Sequence, residues 1–98
     1  MEITYKNNMV KKVCTQYSEA VKTHGDRVAI KLHTRLREIQ SADTVEEMIL
    51  YRIGRCHRLE GPLKGQYAMD LGQPYRLVFK KTDKDGRCVR ILSIEDYH

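Results

Sequence analysis

The second half of the chain constrains the fold most, because it alternates apolar and polar residues in short segments separated by turn residues. Residues 66–71 and 75–81 each place a large apolar side chain at every second position, and Gly72-Gln73-Pro74 lies between them. Such period-two segments with short connections predict antiparallel strands joined as hairpins. A further strand is expected over residues 87–94, after the turn Asp83-Lys84-Asp85-Gly86, and a short one over residues 55–59.

The first half is predicted to be helical after one short strand at residues 2–5. Apolar residues recur at helical spacing over residues 8–22, where an asparagine can cap the start and Gly25 can end the segment. A second helix is expected to begin with Asp26 as its N-cap and to carry its apolar stripe to residue 39. Thr44-Val45-Glu46-Glu47 forms a capping box, which predicts a short helix that ends near residue 50.

These elements predict an α+β fold in which N-terminal helices pack on one face of a small, mainly antiparallel sheet. With 98 residues, the chain is expected to form one domain over residues 1–98. It has no apolar run of the roughly 18 residues that a membrane span requires and no apolar signal region after Met1, so we expect a cytoplasmic protein without a membrane partner. Three widely spaced cysteines indicate neither a disulfide framework nor a structural zinc site.

The net charge of +5 is concentrated in the half of the chain that forms the sheet. Residues 1–50 carry eight Lys and Arg against seven Asp and Glu, whereas residues 51–98 carry ten against six. A basic surface attracts polyanions, of which nucleic acid is the commonest. On the second predicted helix, Arg27, Lys31 and Arg35 form a row that we interpret as solvent-facing, with contact to RNA as the alternative.

Polar residues suited to phosphate chemistry lie in and next to the predicted strands. Alternation turns Arg76 away from the apolar side chains of its own strand, towards the face that the helices leave open. If the strands are neighbours, that face collects one set of candidate residues: His57, Lys64, Arg76, Asp96, Tyr97 and His98. Arg58 and Lys80 are further candidates for binding RNA.

This set of residues suits cleavage of RNA by the substrate's own 2′-hydroxyl group. We expect His57 and His98 to transfer the protons, because the pKa of histidine lies near neutrality, and the α-carboxylate beside His98 favours it as the acid. Arg76 would neutralise charge on the phosphate, and Lys64 would assist as a point charge. The sequence contains neither a phosphate-binding glycine loop nor ligand spacing for a metal, so we expect no metal and no cofactor.

The remaining two candidates follow from the same chemistry. Asp96 would orient or polarise one of the histidines, while Tyr97 would stack on a base or hold a phosphate. We take Asp96 and Tyr97 together with the two histidines and Arg76 as the catalytic set.

The same residues carry a family resemblance that covers nearly the whole chain. His57 with Leu59 and Gly61, the strand start Gly65-Gln66-Tyr67, the segment Tyr75-Arg76-Leu77-Val78-Phe79 and the final Asp96-Tyr97-His98 resemble the HigB toxins of the RelE/ParE superfamily. The resemblance implies a toxin that cuts messenger RNA in the ribosomal decoding site and therefore contacts ribosomal RNA. It also implies neutralisation by a cognate HigA-like helix-turn-helix antitoxin, with His57, Arg76 and the final three residues as the active site.

One residue departs from the family pattern, and two other functions remain open. Glu60 stands where relatives often have lysine, three residues after the histidine, so we expect Lys64 or Arg58 to replace that charge. The first alternative is a ParE-like inhibitor of DNA gyrase, which would not require His57 or His98. The second is a non-catalytic module that binds RNA or the ribosome through the same basic sheet.

Overall fold

The computed structural model describes residues 1–97 and contains helices packed on one face of a sheet. The helices are α1 (Asn8–Thr15), α2 (Tyr17–His24), α3 (Asp26–Ser41) and α4 (Val45–Leu50). The strands are β1 (Glu2–Tyr5), β2 (His57–Arg58), β3 (Gln66–Asp70), β4 (Tyr75–Lys81) and β5 (Cys88–Asp96). Short 3₁₀ turns occupy Ile53–Arg55 and Gly61–Leu63. The predicted α+β class, with helices first and a small sheet second, is confirmed.

The sheet has five strands in the order β1-β5-β4-β3-β2. Strands β2 to β5 pair antiparallel, as the hairpin turns predict. β1 adds to the outer edge of β5 and runs parallel to it. The chain between β1 and β5 contains the four helices and strands β2 to β4, so it is long enough for the connection that a parallel neighbour requires.

The main core lies between the helices and one face of the sheet. Leu32 and Ile39 of α3 are fully buried there, together with Leu77 and Phe79 of β4. The Tyr67 ring stacks on Phe79 with ring centroids 5.6 Å apart. The expected alternation is therefore observed, because the odd-numbered residues of β3 and β4 face the helices.

The opposite face of the sheet is only partly open. Ala68 and Val78 are buried in a second apolar cluster with Leu59, and Leu63 and Leu92 pack against it. The segment after β2 therefore folds over the middle of this face. Polar side chains from neighbouring strands can meet only towards the ends of the strands.

The first predicted helix is divided in two. Gln16 is extended, with φ −122° and ψ 107°, and separates α1 from α2. The Thr15 hydroxyl donates to the Lys11 carbonyl oxygen over 2.7 Å, a bond that bends helices. The break allows Cys14 of α1 and Ala20 of α2 to reach the same core.

Three predicted helix caps can be compared directly with the structure. The Asn7 side chain caps α1 by accepting from the Val10 N–H at 2.9 Å, and Thr44 caps α4 by accepting from the Glu47 N–H at 3.1 Å. Asp26, expected as an N-cap, is instead the first residue of α3, and Gly25 occupies the cap position with φ 86°. Asp26 still lies where an acidic side chain favours a helix start.

The strand expected over residues 55–59 is restricted to His57–Arg58. Arg52, Gly54 and Arg55 have φ values of 53°, 58° and 55°, which extended strands do not adopt. The chain therefore enters β2 from a left-handed turn. One further ladder bond, from the Leu59 N–H to the Gln66 carbonyl oxygen at 2.9 Å, follows β2.

Candidate active site

The candidate site is built on one row of residues that crosses three strands. Asp70 of β3 lies opposite Arg76 of β4, and Arg76 lies opposite Glu95 of β5. Directly opposed residues in antiparallel strands project to the same face, so these three side chains form a polar row on the face away from the helices. His57 lies in the next row, opposite Ala68.

Arg76 is held between a carboxylate and an aromatic ring. Its Nε atom donates to Glu95 Oε1 over 2.8 Å, its Nη2 atom forms an ion pair with the same oxygen at 2.6 Å, and its Cζ atom lies 4.4 Å from the centre of the Tyr97 ring. Only 14% of the Arg76 side chain is exposed. The guanidinium is thus oriented before any ligand binds, and a planar guanidinium suits the bidentate recognition of phosphate.

Arg55 forms a second cationic pair beside the first. Its Nε and Nη2 atoms donate to the two carboxylate oxygens of Asp70 over 2.8 and 3.1 Å. Nη2 also donates to the Tyr97 hydroxyl over 3.2 Å. Tyr97 therefore connects Arg55 at its hydroxyl with Arg76 at its ring face, and its backbone N–H donates to the Pro74 carbonyl oxygen over 3.0 Å.

His57 contacts the backbone of the same arginine. Its Nδ1 atom lies 2.7 Å from the Arg55 carbonyl oxygen. A carbonyl oxygen only accepts hydrogen bonds, so Nδ1 carries a hydrogen, and in the neutral ring Nε2 is then the basic nitrogen. The imidazole is half-buried, and in this tautomer its Nε2 atom can accept a hydrogen bond or a proton.

Sequence reasoning missed four residues that organise this site. Three of them make the contacts described above: Asp70 pairs with Arg55, Glu95 pairs with Arg76, and Arg55 contacts the Tyr97 hydroxyl. The fourth is Arg35 of α3, which donates from Nε to the Asp70 carbonyl oxygen over 2.7 Å. Arg35 is therefore not a solvent-facing residue, since only 13% of its side chain is exposed. Alternation along β3 could have indicated Asp70. Alternation along β5 could not have indicated Glu95, because the odd-numbered Val89 and Ile91 face the helices and only a register shift at Val78 and Phe79 aligns Glu95 with Arg76.

The final three residues of the predicted set have different positions. Tyr97 lies against Arg76, as described. Asp96 lies opposite Tyr75 in the β4 and β5 register, which places it out of phase with Arg76. Glu95, one residue earlier, has the position in the polar row. His98 lies outside the described residues.

The predicted RNA-binding cations are distributed over two regions. Lys80 lies opposite Arg90, four residues along β4 from Arg76 and on the same face. Neither of these two cations has an ion pair within the part of the chain that the structure describes. Arg58 lies opposite Tyr67, on the other face, and lines a groove of about 260 Å³ with Lys64 and Glu60.

The charge of Arg58 acts on the helical side of the sheet. The pKa of Glu46 in α4 is lowered, mainly by a hydrogen bond from Lys81 and to a smaller extent by the charge of Arg58. The register separates Arg58 from the row that contains Arg76. The carboxylate of Glu60 shares the groove with Arg58 and Lys64, so the cations in this region have an acidic neighbour.

Cys14 and Cys56 do not provide a nucleophile for the site. Burial raises the pKa of the Cys56 thiol, next to His57, to about 12, and that of Cys14 also to about 12. Buried, protonated thiols are unreactive. Among residues 1–97, no group of three or more histidine, cysteine or acidic side chains could hold a metal ion, and none of the described helices is long and apolar enough to cross a membrane.

Comparison with known proteins identifies the fold. The sequence matches no family model, and no curated protein matches it significantly. Solved structures do match. The YoeB/ParE toxin from Agrobacterium tumefaciens is 12% identical, with a TM-score of 0.67 and complete coverage of both chains. A YoeB chain in the YoeB-YefM complex from Staphylococcus aureus is 20% identical, with a TM-score of 0.65 and coverage of 100% of this chain and 97% of that one.

A third similar structure comes from a differently named protein. YafQ from E. coli strain BL21(DE3) is 22% identical, with a TM-score of 0.64 and coverage of 97% of this chain and 91% of that chain. At these identities the similarity concerns the fold. The protein therefore has the same α+β fold as these YoeB/ParE and YafQ structures.

Proposed function

We propose that the protein is the toxin of a type II toxin–antitoxin pair and that it cleaves messenger RNA on the ribosome. The observation that carries this proposal is the placement of the Arg76 guanidinium beneath the Tyr97 ring, one row from His57, at the open end of the sheet. These groups supply a phosphate-binding cation, a stacking surface and a base. The resemblance to HigB and the shared fold with toxins point to the same function.

In the proposed reaction, His57 Nε2 removes the proton from a 2′-hydroxyl group. The 2′-oxygen attacks the adjacent phosphorus, a 2′,3′-cyclic phosphate forms, and the bond to the 5′-oxygen breaks. An acid then protonates the leaving 5′-oxygen, a role that we assign to His98. Arg76 neutralises the charge that develops on the non-bridging oxygens, and Tyr97 stacks on a base next to the cleaved bond.

The other predicted residues have supporting roles in this proposal. We assign Asp96 the orientation of the His98 imidazole, since the two are close in sequence. Lys80, together with Arg90, would contact the RNA backbone on the same face as Arg76. Lys64 and Arg58 would contact RNA at the groove beside β2. The proposed cellular partners are a cytoplasmic ribosome and a HigA-like antitoxin.

Cleavage of a defined messenger RNA on purified ribosomes tests this function. The products are mapped by primer extension, and a transcript with a single 2′-deoxy nucleotide at the mapped position should resist cleavage there. His57→Gln should lower the rate roughly 10²–10⁴-fold, and Arg76→Ala roughly 10²–10³-fold. Lys31→Ala, which removes an exposed cation from α3, is the matched control and should cleave normally.

Three outcomes separate the proposal from its alternatives. Cuts that disappear with the 2′-deoxy nucleotide support the nuclease. Loss of supercoiling by DNA gyrase without RNA cuts would instead establish a ParE-like inhibitor. Ribosome binding that leaves both RNA and supercoiling intact would establish a non-catalytic module.

A further inference from the structure

Arg55 contacts the candidate site through both its backbone and its side chain. Its carbonyl oxygen accepts from His57 Nδ1 at 2.7 Å. Its guanidinium pairs with Asp70 and reaches the Tyr97 hydroxyl. One residue thus contacts the imidazole and the aromatic ring of the site, although it contributes no group to the reaction described above.

The backbone of Arg55 is in a conformation that a non-glycine residue rarely adopts. Its φ is 55°, within a left-handed turn that also includes Arg52 and Gly54. An L-residue in this region is strained because its Cβ lies too close to its own carbonyl group. The same turn directs the Arg55 carbonyl oxygen towards His57, so the strained conformation and the hydrogen bond occur together.

The Arg55 side chain is held by Asp70, which is itself held by Arg35 of α3. Asp70 holds the guanidinium with two hydrogen bonds, and the Asp70 carbonyl oxygen accepts from Arg35 of α3. The Arg35 side chain packs on Gly54, where an added Cβ would lie 2.6 Å from Arg35 Cδ. Strained residues persist where surrounding contacts over-determine them, and they occur preferentially at functional sites.

We propose that Arg55 is a positioning residue, whose pairing with Asp70 holds the left-handed turn in place. The turn in turn keeps neutral His57 in the tautomer that carries its hydrogen on Nδ1, which leaves Nε2 free to act as the base. This inference rests on the proposed role of His57 in the reaction. Arg55 then acts on the reaction through His57, and Asp70 anchors the Arg55 side chain. Because Asp70 neutralises the charge of the Arg55 guanidinium, Arg55 acts by holding the backbone of the turn and not through its charge.

The tautomer of His57 is measured directly by nuclear magnetic resonance. Long-range proton and nitrogen correlation spectra of ¹⁵N-histidine-labelled protein, above the titration of imidazole, distinguish hydrogen on Nδ1 from hydrogen on Nε2. Wild type should show the Nδ1–H form alone. Arg55→Gly should keep that form, because glycine adopts positive φ without strain and retains the carbonyl oxygen. Arg55→Ala keeps the strain but lacks the anchor, and should give a mixture.

Kinetics provide the second measurement. Arg55→Ala should lose about 10- to 100-fold in kcat with little change in KM, because a wrong tautomer removes base catalysis that contributes roughly 10²–10⁴-fold. Arg55→Gly should lose less than Arg55→Ala. A merely structural or charge-based role predicts that the glycine and alanine variants behave alike. Arg52→Ala removes a guanidinium from the same turn and should leave the tautomer unchanged.

The possible outcomes decide the proposal separately from the proposed function. An Nε2–H tautomer in wild type, or an unchanged Nδ1–H tautomer in Arg55→Ala, would overturn the positioning role. If the tautomers follow the expected order while wild-type protein cuts no RNA, the positioning of His57 by Arg55 is supported and the nuclease assignment fails. Circular dichroism of each variant establishes that the fold is retained.

Discussion

Replacing Glu95 with glutamine should make the protein less stable and, at the same time, a tighter binder of RNA phosphate. Glu95 Oε1 accepts a hydrogen bond from Arg76 Nε at 2.8 Å and forms an ion pair with Nη2 at 2.6 Å. The carboxylate therefore occupies donors that a phosphate would use. Glutamine has a similar shape and retains an acceptor oxygen but carries no charge, so it tests this competition with little change in packing.

The expected loss of stability is small. Hydrogen bonds to charged groups contribute roughly 1.5–3 kcal/mol, but 36% of the Glu95 side chain is exposed, and exposed pairs typically contribute less than about 1 kcal/mol. We expect the free energy of unfolding to fall by about 0.5–1 kcal/mol. For a domain of this size, that loss lowers Tm by about 2–8 °C.

The expected gain in affinity comes from removal of a repulsion. A phosphate bound to Arg76 would lie about 4–5 Å from Glu95, because both anions contact one guanidinium. Two like charges at that separation repel by roughly 1 kcal/mol even in the dielectric of water. Glu95→Gln should therefore bind phosphate at least about fivefold more tightly, by the conversion of 1.4 kcal/mol per tenfold change in Kd.

Fluorescence anisotropy with a 2′-O-methylated RNA oligonucleotide measures this affinity without cleavage, and thermal unfolding in phosphate-free buffer measures stability. Ser93→Ala is the matched control, since the Ser93 hydroxyl donates to the other Glu95 oxygen over 3.4 Å and its loss changes no charge. It should leave RNA affinity unchanged. Equal or weaker RNA binding by the glutamine variant would refute the idea that Glu95 and phosphate compete for Arg76.

Two further predictions concern the remaining charges. Lys80→Ala should reduce the slope of log Kd against log salt concentration for RNA binding by about 0.7, the value for one phosphate contact on a single strand. Arg58→Ala, on the other face, should reduce it less, and the reverse order would make the groove beside β2 the main contact with the RNA backbone. The hydrogen bond from Lys81 lowers the pKa of Glu46 in the folded protein. The pair of Lys81 and Glu46 therefore stabilises the fold at pH values above the unfolded pKa of Glu46, near 4.5. This stabilisation is lost as the pH falls through the lower pKa that Glu46 has in the folded protein. Denaturation of wild type and Lys81→Met between neutral and acidic pH should show their stability difference shrinking over that range, and a pH-independent difference would contradict the linkage.

The alternation of residues 66–71 and 75–81 was sufficient to predict both strands and the face of Arg76. Local patterns also predicted the caps at Asn7 and Thr44. They did not predict the break at Gln16, because the apolar spacing continues through it and only the packing of Cys14 and Ala20 in one core requires the bend. The spacing of apolar residues predicts which side chains are buried, but it does not predict whether one continuous helix or two shorter helices carry them.

The candidate site was predictable only in part, since its chemistry depends on pairs that are distant in sequence. The sequence by itself determined that a histidine, an arginine and a tyrosine would be available near an open sheet face. Tertiary structure alone decided that Arg55 pairs with Asp70, 15 residues away, and that Arg35, 35 residues from Asp70, braces the same strand. Strand register aligned Glu95, and not Asp96, with Arg76. These contacts are made by side chains whose proximity exists only after the strands have paired, so no local pattern encodes them.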